Sequence, residues 1–176
     1  MKRTLMSFLA VAGLAALTAA VTLAAPPKAK NFVAHLNGAN QVPPLATKAT
    51  GEAVFNLRKQ NGVDVLEYKI SAANFGKNNK IVAAHIHCGK KGDNGGIAVT
   101  LYGGPTPINA KGNVISGTIT ASSSFTGGAC GVTSFATLLD KMRAVPSQLY
   151  VNVHSEKNSN NGEIRGQIKP GGPKPT

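Results

Sequence analysis

The sequence predicts an all-β domain, an antiparallel sandwich or barrel that carries one short helix. Three observations lead to this prediction. Short runs of β-favouring residues recur along the chain, and clusters of turn residues separate them. The chain of 176 residues has 20 Gly and 10 Pro, enough for many turns but below the roughly 25–30% that is typical of low-complexity chains. A single segment, near residues 134–143, changes to helical spacing.

The first 25 residues are predicted to be a signal peptide. Lys2 and Arg3 precede residues 5–25, which are almost wholly apolar or small, and a pair of prolines follows. About 20 apolar residues are long enough to span a bilayer, but the small residues before the prolines favour cleavage near Ala24 or Ala25 over a retained anchor. We therefore expect a secreted or periplasmic protein that has no transmembrane segment after processing.

The remaining chain is predicted to form one domain with short flanking segments. Residues 26–30 are predicted to be a linker, because they contain only Pro, Lys and Ala. Residues 31–169 are predicted to be the folded domain, of a size typical for a single hydrophobic core. Residues 170–176 are predicted to be a flexible tail, since three prolines and two glycines prevent both a helix and a central strand.

Eight segments of the domain are predicted to be β-strands. Each is rich in β-branched or aromatic residues. Gln60, Asn61 and Gly62 predict a hairpin turn between the second and third strands, because Asn and Gly tolerate a positive φ. Loops are predicted at the Gly- and Asn-rich residues 92–96 and 158–162. The predicted strands are residues 32–36, 53–57, 63–70, 80–87, 97–102, 114–120, 149–154 and 163–168.

A short helix is predicted at residues 134–143, between the sixth and seventh strands. Its apolar residues recur at spacings of three, four and seven, as on one face of a helix. Thr133 or Ser134 is able to cap its first turn, and Pro146 ends it. The apolar positions are Phe135, Leu138, Leu139 and Met142.

The two cysteines, Cys88 and Cys130, are expected to form a disulfide. A cysteine pair in an oxidising compartment is usually oxidised, and this bond would close a loop of about 40 residues. Free thiols are the alternative.

Histidines are the strongest sign of chemistry in the sequence. His85 and His87 lie two residues apart on one predicted strand, so their side chains point to the same face. His154 ends another strand, and three histidines at strand ends are able to supply three nitrogen ligands to zinc or copper. The alternative is that they are surface groups or hydrogen-bonding supports. His35 is expected to face solvent and not to act as a fourth ligand.

The charge balance indicates an anionic partner. There are 19 Lys and Arg against 7 Asp and Glu, a formal net charge of +12. The lysines are scattered and aromatics make only 5% of the chain, which disfavours nucleic acid. An anionic envelope or polysaccharide surface is the expected partner, with an attraction that salt weakens. The sequence does not identify a protein partner, which a structural or adhesive domain would have as an alternative to a glycan. The chain lacks the common nucleophile, Walker and dinucleotide motifs, so no catalytic residue or organic cofactor is predicted.

Three motifs stand in order along the chain: residues 36–44 with Thr47, Thr50 and Gly51, residues 84–87 with residues 92–95, and residues 149–154 with residues 162–168. Together they resemble the CHRD domain, the family named after chordin, and the resemblance covers residues 32–168. It implies an immunoglobulin-like or superoxide-dismutase-like antiparallel sandwich outside the cytoplasm, without a settled activity. The predicted function is therefore a secreted binding module that holds one copper-like metal ion, with a structural or adhesive domain without metal as the alternative.

A more distant similarity is to the copper/zinc superoxide dismutases. The His-x-His strand, the later Val-His strand end and the following Gly-x-x-Arg segment occur here in the same order. The similarity implies that His85, His87 and His154 are copper ligands, that Arg165 guides anions to the site, and that the two cysteines form that fold's disulfide. The bridging histidine and the zinc ligands have no counterparts, so a dismutase is the least favoured function. For Arg165 the alternative is a solvent-exposed ion pair with Glu163.

Overall fold

The computed structural model describes residues 28–110 and 114–175, and the predicted signal peptide lies outside them. Within these residues the chain forms nine strands and one α-helix, α1 (Phe135–Ala144), together with three short 3₁₀ turns. All eight predicted strands are present, and the ninth is a two-residue strand that was not predicted. The strands are β1 (Asn31–Asn37), β2 (Thr50–Gln60), β3 (Val63–Ala73), β4 (Ile81–Cys88), β5 (Ile97–Tyr102), β6 (Val114–Ile119), β7 (Leu149–Ser155), β8 (Ile164–Gln167) and β9 (Lys169–Pro170).

The strands form one antiparallel sheet that is nearly closed. Its order is β5-β4-β7-β8-β1-β2-β3-β6, and β9 pairs with β1 beyond the end of β8. The two edge strands, β5 and β6, contact each other, so the sheet curls around a single apolar interior. This arrangement confirms the predicted all-β antiparallel fold.

Strand β7 is buried on both of its faces. Leu149, Val151 and Val153 point into the apolar core and are completely buried. The alternate residues point to the outer face of the sheet, where Tyr150 and His154 are also buried, at 2% and 5% exposure. Loops therefore cover the outer face of the sheet at this strand, and the polar residues there lie in a partly closed environment.

The helix begins and ends within one residue of its prediction. The hydroxyl of Ser134 caps it by accepting a hydrogen bond from the backbone N–H of Thr137, and the Thr137 hydroxyl closes a reciprocal contact with the Ser134 backbone N–H. Its four predicted apolar residues are buried.

The predicted hairpin turn joins β2 to β3. Asn61 and Gly62 both adopt a positive φ, 50° and 81°, and Gln60 pairs directly with Val63. Positive φ at both central positions matches the right-handed twist of the flanking strands. Both strands extend beyond their predicted limits, because the ladder continues through polar residues on the outer face.

Both flanking segments contact the domain. Lys169–Pro170 pairs with β1, and the backbone N–H of Gly171 donates to the carbonyl oxygen of Asn31 at 2.8 Å. The first residue of the predicted tail therefore lies in a short strand, where proline is tolerated because no donor is needed from it. At the other end, the carbonyl oxygen of Lys30 accepts from the N–H of Leu57, so the linker is partly docked.

The predicted disulfide joins Cys88 to Cys130. It connects the end of β4 to the 3₁₀ turn Gly128–Cys130, which precedes the helix. No cysteine is free. The bond therefore fixes the segment before the helix next to the strand that carries His85 and His87.

Replacing both cysteines with serine is expected to lower the free energy of unfolding by about 3 kcal/mol, because the bond constrains a loop of 42 residues in the unfolded chain. Urea denaturation of metal-free protein at pH 7 measures this change. Reduced wild-type protein serves as the control and should match the variant. Equal stability of the oxidised protein and the variant would contradict the expectation.

Candidate metal centre

The strand register places a band of polar side chains across the outer face of β4, β7 and β8. His85 pairs with Asn152, which pairs with Arg165. His87 pairs with Tyr150, which pairs with Gln167. The alternation of the strands therefore brings onto one face the polar residues of three segments that are distant in sequence.

The three predicted histidines lie together in this band. The ring centroid of His85 lies 5.4 Å from that of His87 and 5.0 Å from that of His154. The centroids of His87 and His154 are 6.0 Å apart. One ring nitrogen from each residue lies within 4.8 Å of the others. Among the described residues, this is the one group of three or more histidine, cysteine or acidic side chains close enough to share a metal ion.

Backbone carbonyl groups orient two of the three rings. Nδ1 of His87 lies 2.9 Å from the carbonyl oxygen of Gly95, and Nδ1 of His154 lies 2.9 Å from that of Ser159. Because a carbonyl oxygen only accepts, Nδ1 carries the hydrogen in both rings. In the neutral rings Nε2 is then left with a free lone pair.

Three buried nitrogens of the cluster have no hydrogen-bond partner. They are Nδ1 of His85 and Nε2 of both His87 and His154, and no other buried side-chain nitrogen or oxygen in the described part of the chain is unpaired. A buried polar atom without a partner costs about 1–3 kcal/mol. All three unpaired nitrogens belong to the same cluster, and one shared cation would provide a partner for each of them.

Burial favours the neutral form of all three rings. Burial, together with the neighbouring His154 and His87, lowers the pKa of His85 to about 4. Burial also lowers the pKa of His87 and His154, although the carbonyl groups of Gly95 and Ser159 partly oppose the change. At neutral pH the free lone pairs are therefore available without the loss of protons.

The metal-free protein is expected to lose stability between pH 7 and pH 5. In the unfolded chain His85 gains a proton near its usual pKa of 6.5, whereas in the folded protein it stays neutral until about pH 4. The unfolded state therefore binds more protons in this range, which lowers the free energy of unfolding by roughly 1–2 kcal/mol. Urea denaturation with a chelator at both pH values measures the change. In the His85→Asn variant most of this decrease in the free energy of unfolding should be absent. Equal pH dependence in the variant and the wild-type protein would contradict the explanation.

The loop of residues 38–49, which follows β1, covers part of the polar band. Nε2 of its buried Gln41 donates to Oδ1 of Asn152 at 2.8 Å, and Nδ2 of Asn152 donates to the carbonyl oxygen of Asn161 at 3.0 Å. Gly162 has a φ of 88°, and a Cβ there would overlap the amide of Asn152. Asn152 thus joins two loops over the site. The role of Gln41 was not predicted, although it lies in the first segment that resembles the CHRD domain.

Arg165 is buried at 1% exposure beneath the loop of residues 89–96. Its guanidinium donates to the carbonyl oxygens of Lys90 and Asp93, at 3.0 and 2.8 Å, and to Oδ1 of Asn94 at 3.1 Å. It also lies 3.5 Å from the ring centre of Tyr150. These contacts make Arg165 a clamp for the loop. The predicted anion-guiding role requires a guanidinium that reaches solvent, and the burial does not favour it.

The alternative of a solvent-exposed ion pair between Glu163 and Arg165 is wrong. Glu163 is 4% exposed, and its carboxylate accepts hydrogen bonds from neutral groups only. Burial raises the pKa of Glu163, but these hydrogen bonds outweigh it and hold the pKa below its usual value. Ser155 and Asn158 lie at either end of the turn before Ser159, so the carboxylate helps to place the carbonyl group that orients His154. The donors are Thr47, Ser155, Asn158 and Asn79.

Tyr150 lies between His87 of the histidine cluster and the buried Arg165. Because β7 lies between β4 and β8, the strand order places the Tyr150 ring between His87 and Arg165. The rings of Tyr150 and His87 are nearly parallel, at 11°, with centroids 4.9 Å apart. The hydroxyl of Tyr150 accepts from the backbone N–H of Gly95 at 3.2 Å. The stack fixes the orientation of His87, and sequence patterns did not predict it.

His35 lies outside the cluster, as predicted. Its side chain is 68% exposed, and Nδ1 lies 3.1 Å from Oε2 of Glu52. It therefore provides a matched control residue for tests of the three clustered histidines.

The geometry defines a class of protein, an antiparallel β domain whose outer face carries a loop-covered cluster of three histidines. The family comparison then names the family: residues 32–168 match the CHRD domain, and the chain belongs to that family. No curated protein and no solved structure matches the chain, so the similarity to copper/zinc superoxide dismutases gains no support from these comparisons. Among the described helices, none has the length and apolar character needed to cross a bilayer.

Proposed function

We propose that this protein is an extracytoplasmic binding module that holds one copper ion through His85, His87 and His154. The observation that carries the proposal is the set of three buried ring nitrogens without partners. Their low pKa values favour the neutral form that binds metal. The hydrogen bonds of His87 and His154 to carbonyl groups are the outer contacts that usually orient metal-binding histidines.

The donor set favours copper over other metals. Three imidazoles without a thiolate or carboxylate suit copper and zinc, and copper binds more tightly to a given nitrogen site. Two nitrogens that share an ion at about 2.0–2.1 Å lie at most about 4.2 Å apart, whereas the separations here reach up to 4.8 Å. Binding would therefore draw the most widely separated nitrogens together by at least about 0.6 Å.

An extracytoplasmic location fits the disulfide between Cys88 and Cys130, because such bonds persist mainly in oxidising compartments. The apolar residues 5–25 supply the export signal for this proposal. An anionic envelope or polysaccharide is the proposed partner surface, since exposed lysines such as Lys28 and Lys77 have no ion-pair partner among the described residues.

The second candidate function is a structural or adhesive domain in which the histidines only support loops. The bonds of His87 and His154 to the carbonyl groups of Gly95 and Ser159 favour it. It leaves the three unpaired nitrogens without an explanation, which is why copper binding is preferred.

The direct test is elemental analysis of protein purified from the exported fraction, followed by copper titration of the metal-free protein. Competition with a chelator of known copper affinity measures the affinity of the protein for copper. We expect one tightly bound equivalent of copper per chain. The absence of stoichiometric binding, in a protein that melts cooperatively, would leave the structural domain as the better explanation.

A further inference from the structure

A small cleft lies at the end of β1, away from the three histidines. Its volume is about 190 Å³. It is lined by residues of β1, β8 and β9 and by residues of the two loops 38–49 and 89–96. The volume corresponds to about six water molecules, so the cleft has room for one sugar residue or a small anion. The lining residues are His35, Asn37, Asn40, Lys91, Gln167 and Lys169.

The cleft has a positive charge that no carboxylate within it neutralises. Lys91 and Lys169 are exposed, and neither forms an ion pair within the described part of the chain. The carboxylate of Glu52 lies 3.1 Å from the lining residue His35. Two lysine ammonium groups at one opening attract an anion and leave their donors free to bind it.

The amides of the cleft form a fixed floor with one free donor. Nδ2 of Asn40 donates to the carbonyl oxygen of Arg165 at 3.0 Å, and Oε1 of Gln167 accepts from the guanidinium of Arg165 at 3.2 Å. Oδ1 of Asn37 accepts from the Asn40 backbone N–H. Nδ2 of Asn37 has no partner among the described residues, so it remains available to a ligand.

We propose that this cleft binds an oxyanion, a carboxylate or sulfate group carried by a sugar. Lys91 and Lys169 would contact the anionic oxygens, and the free amide of Asn37 would donate a further hydrogen bond. The proposal rests on the proposed attraction to acidic polysaccharides and adds a defined subsite to it. It is independent of copper, because none of the three clustered histidines lines the cleft.

The test is a titration of isotope-labelled protein followed by NMR. The probes are glucuronate, inorganic sulfate and neutral glucose, and dextran sulfate is added in a separate binding assay. Lys91→Gln/Lys169→Gln is compared with Lys28→Gln/Lys77→Gln, which removes the same charge from exposed lysines outside the cleft. We expect saturable shifts of the Asn37 and Asn40 amide signals with glucuronate. The affinity for glucuronate should fall at least tenfold in Lys91→Gln/Lys169→Gln and less than twofold in Lys28→Gln/Lys77→Gln.

Each arm of the experiment separates one explanation. Equal weakening in both variants would overturn the cleft and leave only general charge attraction. Saturation by inorganic sulfate, with neither saturation by glucuronate nor binding of dextran sulfate, would overturn the assignment to a sugar. If dextran sulfate fails to bind the wild-type protein while glucuronate still saturates the cleft, the polymer partner is wrong and the subsite stands. Both variants replace exposed side chains, and an unchanged melting temperature confirms that they fold.

Discussion

Replacing His85 and His87 together with alanine is expected to lower copper affinity by more than about 100-fold. Loss of a single outer contact to a metal-binding histidine already costs about 10–100-fold, and this variant removes two of the three nitrogens that have no other partner. His154 alone cannot hold the ion. Competition with a copper chelator at pH 7 measures the change, and elemental analysis of the purified variant checks its copper content.

The His35→Ala variant is the control for this experiment. It removes one histidine from the same outer face, but from an exposed position that is paired with Glu52, so it should keep one equivalent of copper at wild-type affinity. His154→Ala should also lose tight binding, since it removes the ligand on β7. Retention of tight copper by the His85→Ala/His87→Ala protein would show that the ion binds elsewhere.

Replacing Arg165 with methionine is expected to lower the free energy of unfolding by about 3–5 kcal/mol. The guanidinium is almost completely buried and donates to the carbonyl oxygens of Lys90 and Asp93. Without it these acceptors lose their donor, and hydrogen bonds to charged groups contribute about 1.5–3 kcal/mol each. Tyr150 also loses the cation over its ring. Urea denaturation of the metal-free protein at pH 7 measures the effect.

Arg58→Met is the matched control. Arg58 forms a partly exposed ion pair with Glu67 at 3.0 Å, and such pairs contribute less than about 1 kcal/mol. Arg165→Lys should remain substantially destabilised, because an ammonium group cannot reproduce the planar fork of donors. A stable Arg165→Met protein with weakened anion attraction would instead support the guiding role that the sequence resemblance implied.

Local patterns predicted the strands well because the alternation of side chains is a local property. The segment that became β4 placed both of its histidines on one face, and the Asn61-Gly62 pair identified the hairpin between β2 and β3. The same alternation correctly placed Arg165 on the outer face. It gives no information on the loop of residues 89–96 that covers this arginine. An exposed ion pair with Glu163 was therefore an alternative, whereas in the structure the arginine is buried and holds the loop.

The remaining features of the site depend on which strands are neighbours. Gln41 contacts Asn152, and Glu163 contacts Thr47, each across more than 100 residues of sequence. No spacing rule reports such pairs. The strand at Pro170 also depends on a distant contact. The local preferences of Pro170 argue against a strand, but the free side of β1 provides a pairing partner.

The three clustered histidines come from β4 and β7, which are adjacent in the sheet but separated along the chain by β5, β6 and the helix. A chain in which β7 has not yet docked presents only the His85–His87 pair. If the protein binds copper as proposed, acquisition of the metal is therefore coupled to the docking of β7 beside β4, and the ion stabilises the folded chain over a partly folded one. In a compartment where copper is scarce, this coupling would reserve the ion for chains that have already reached their native state.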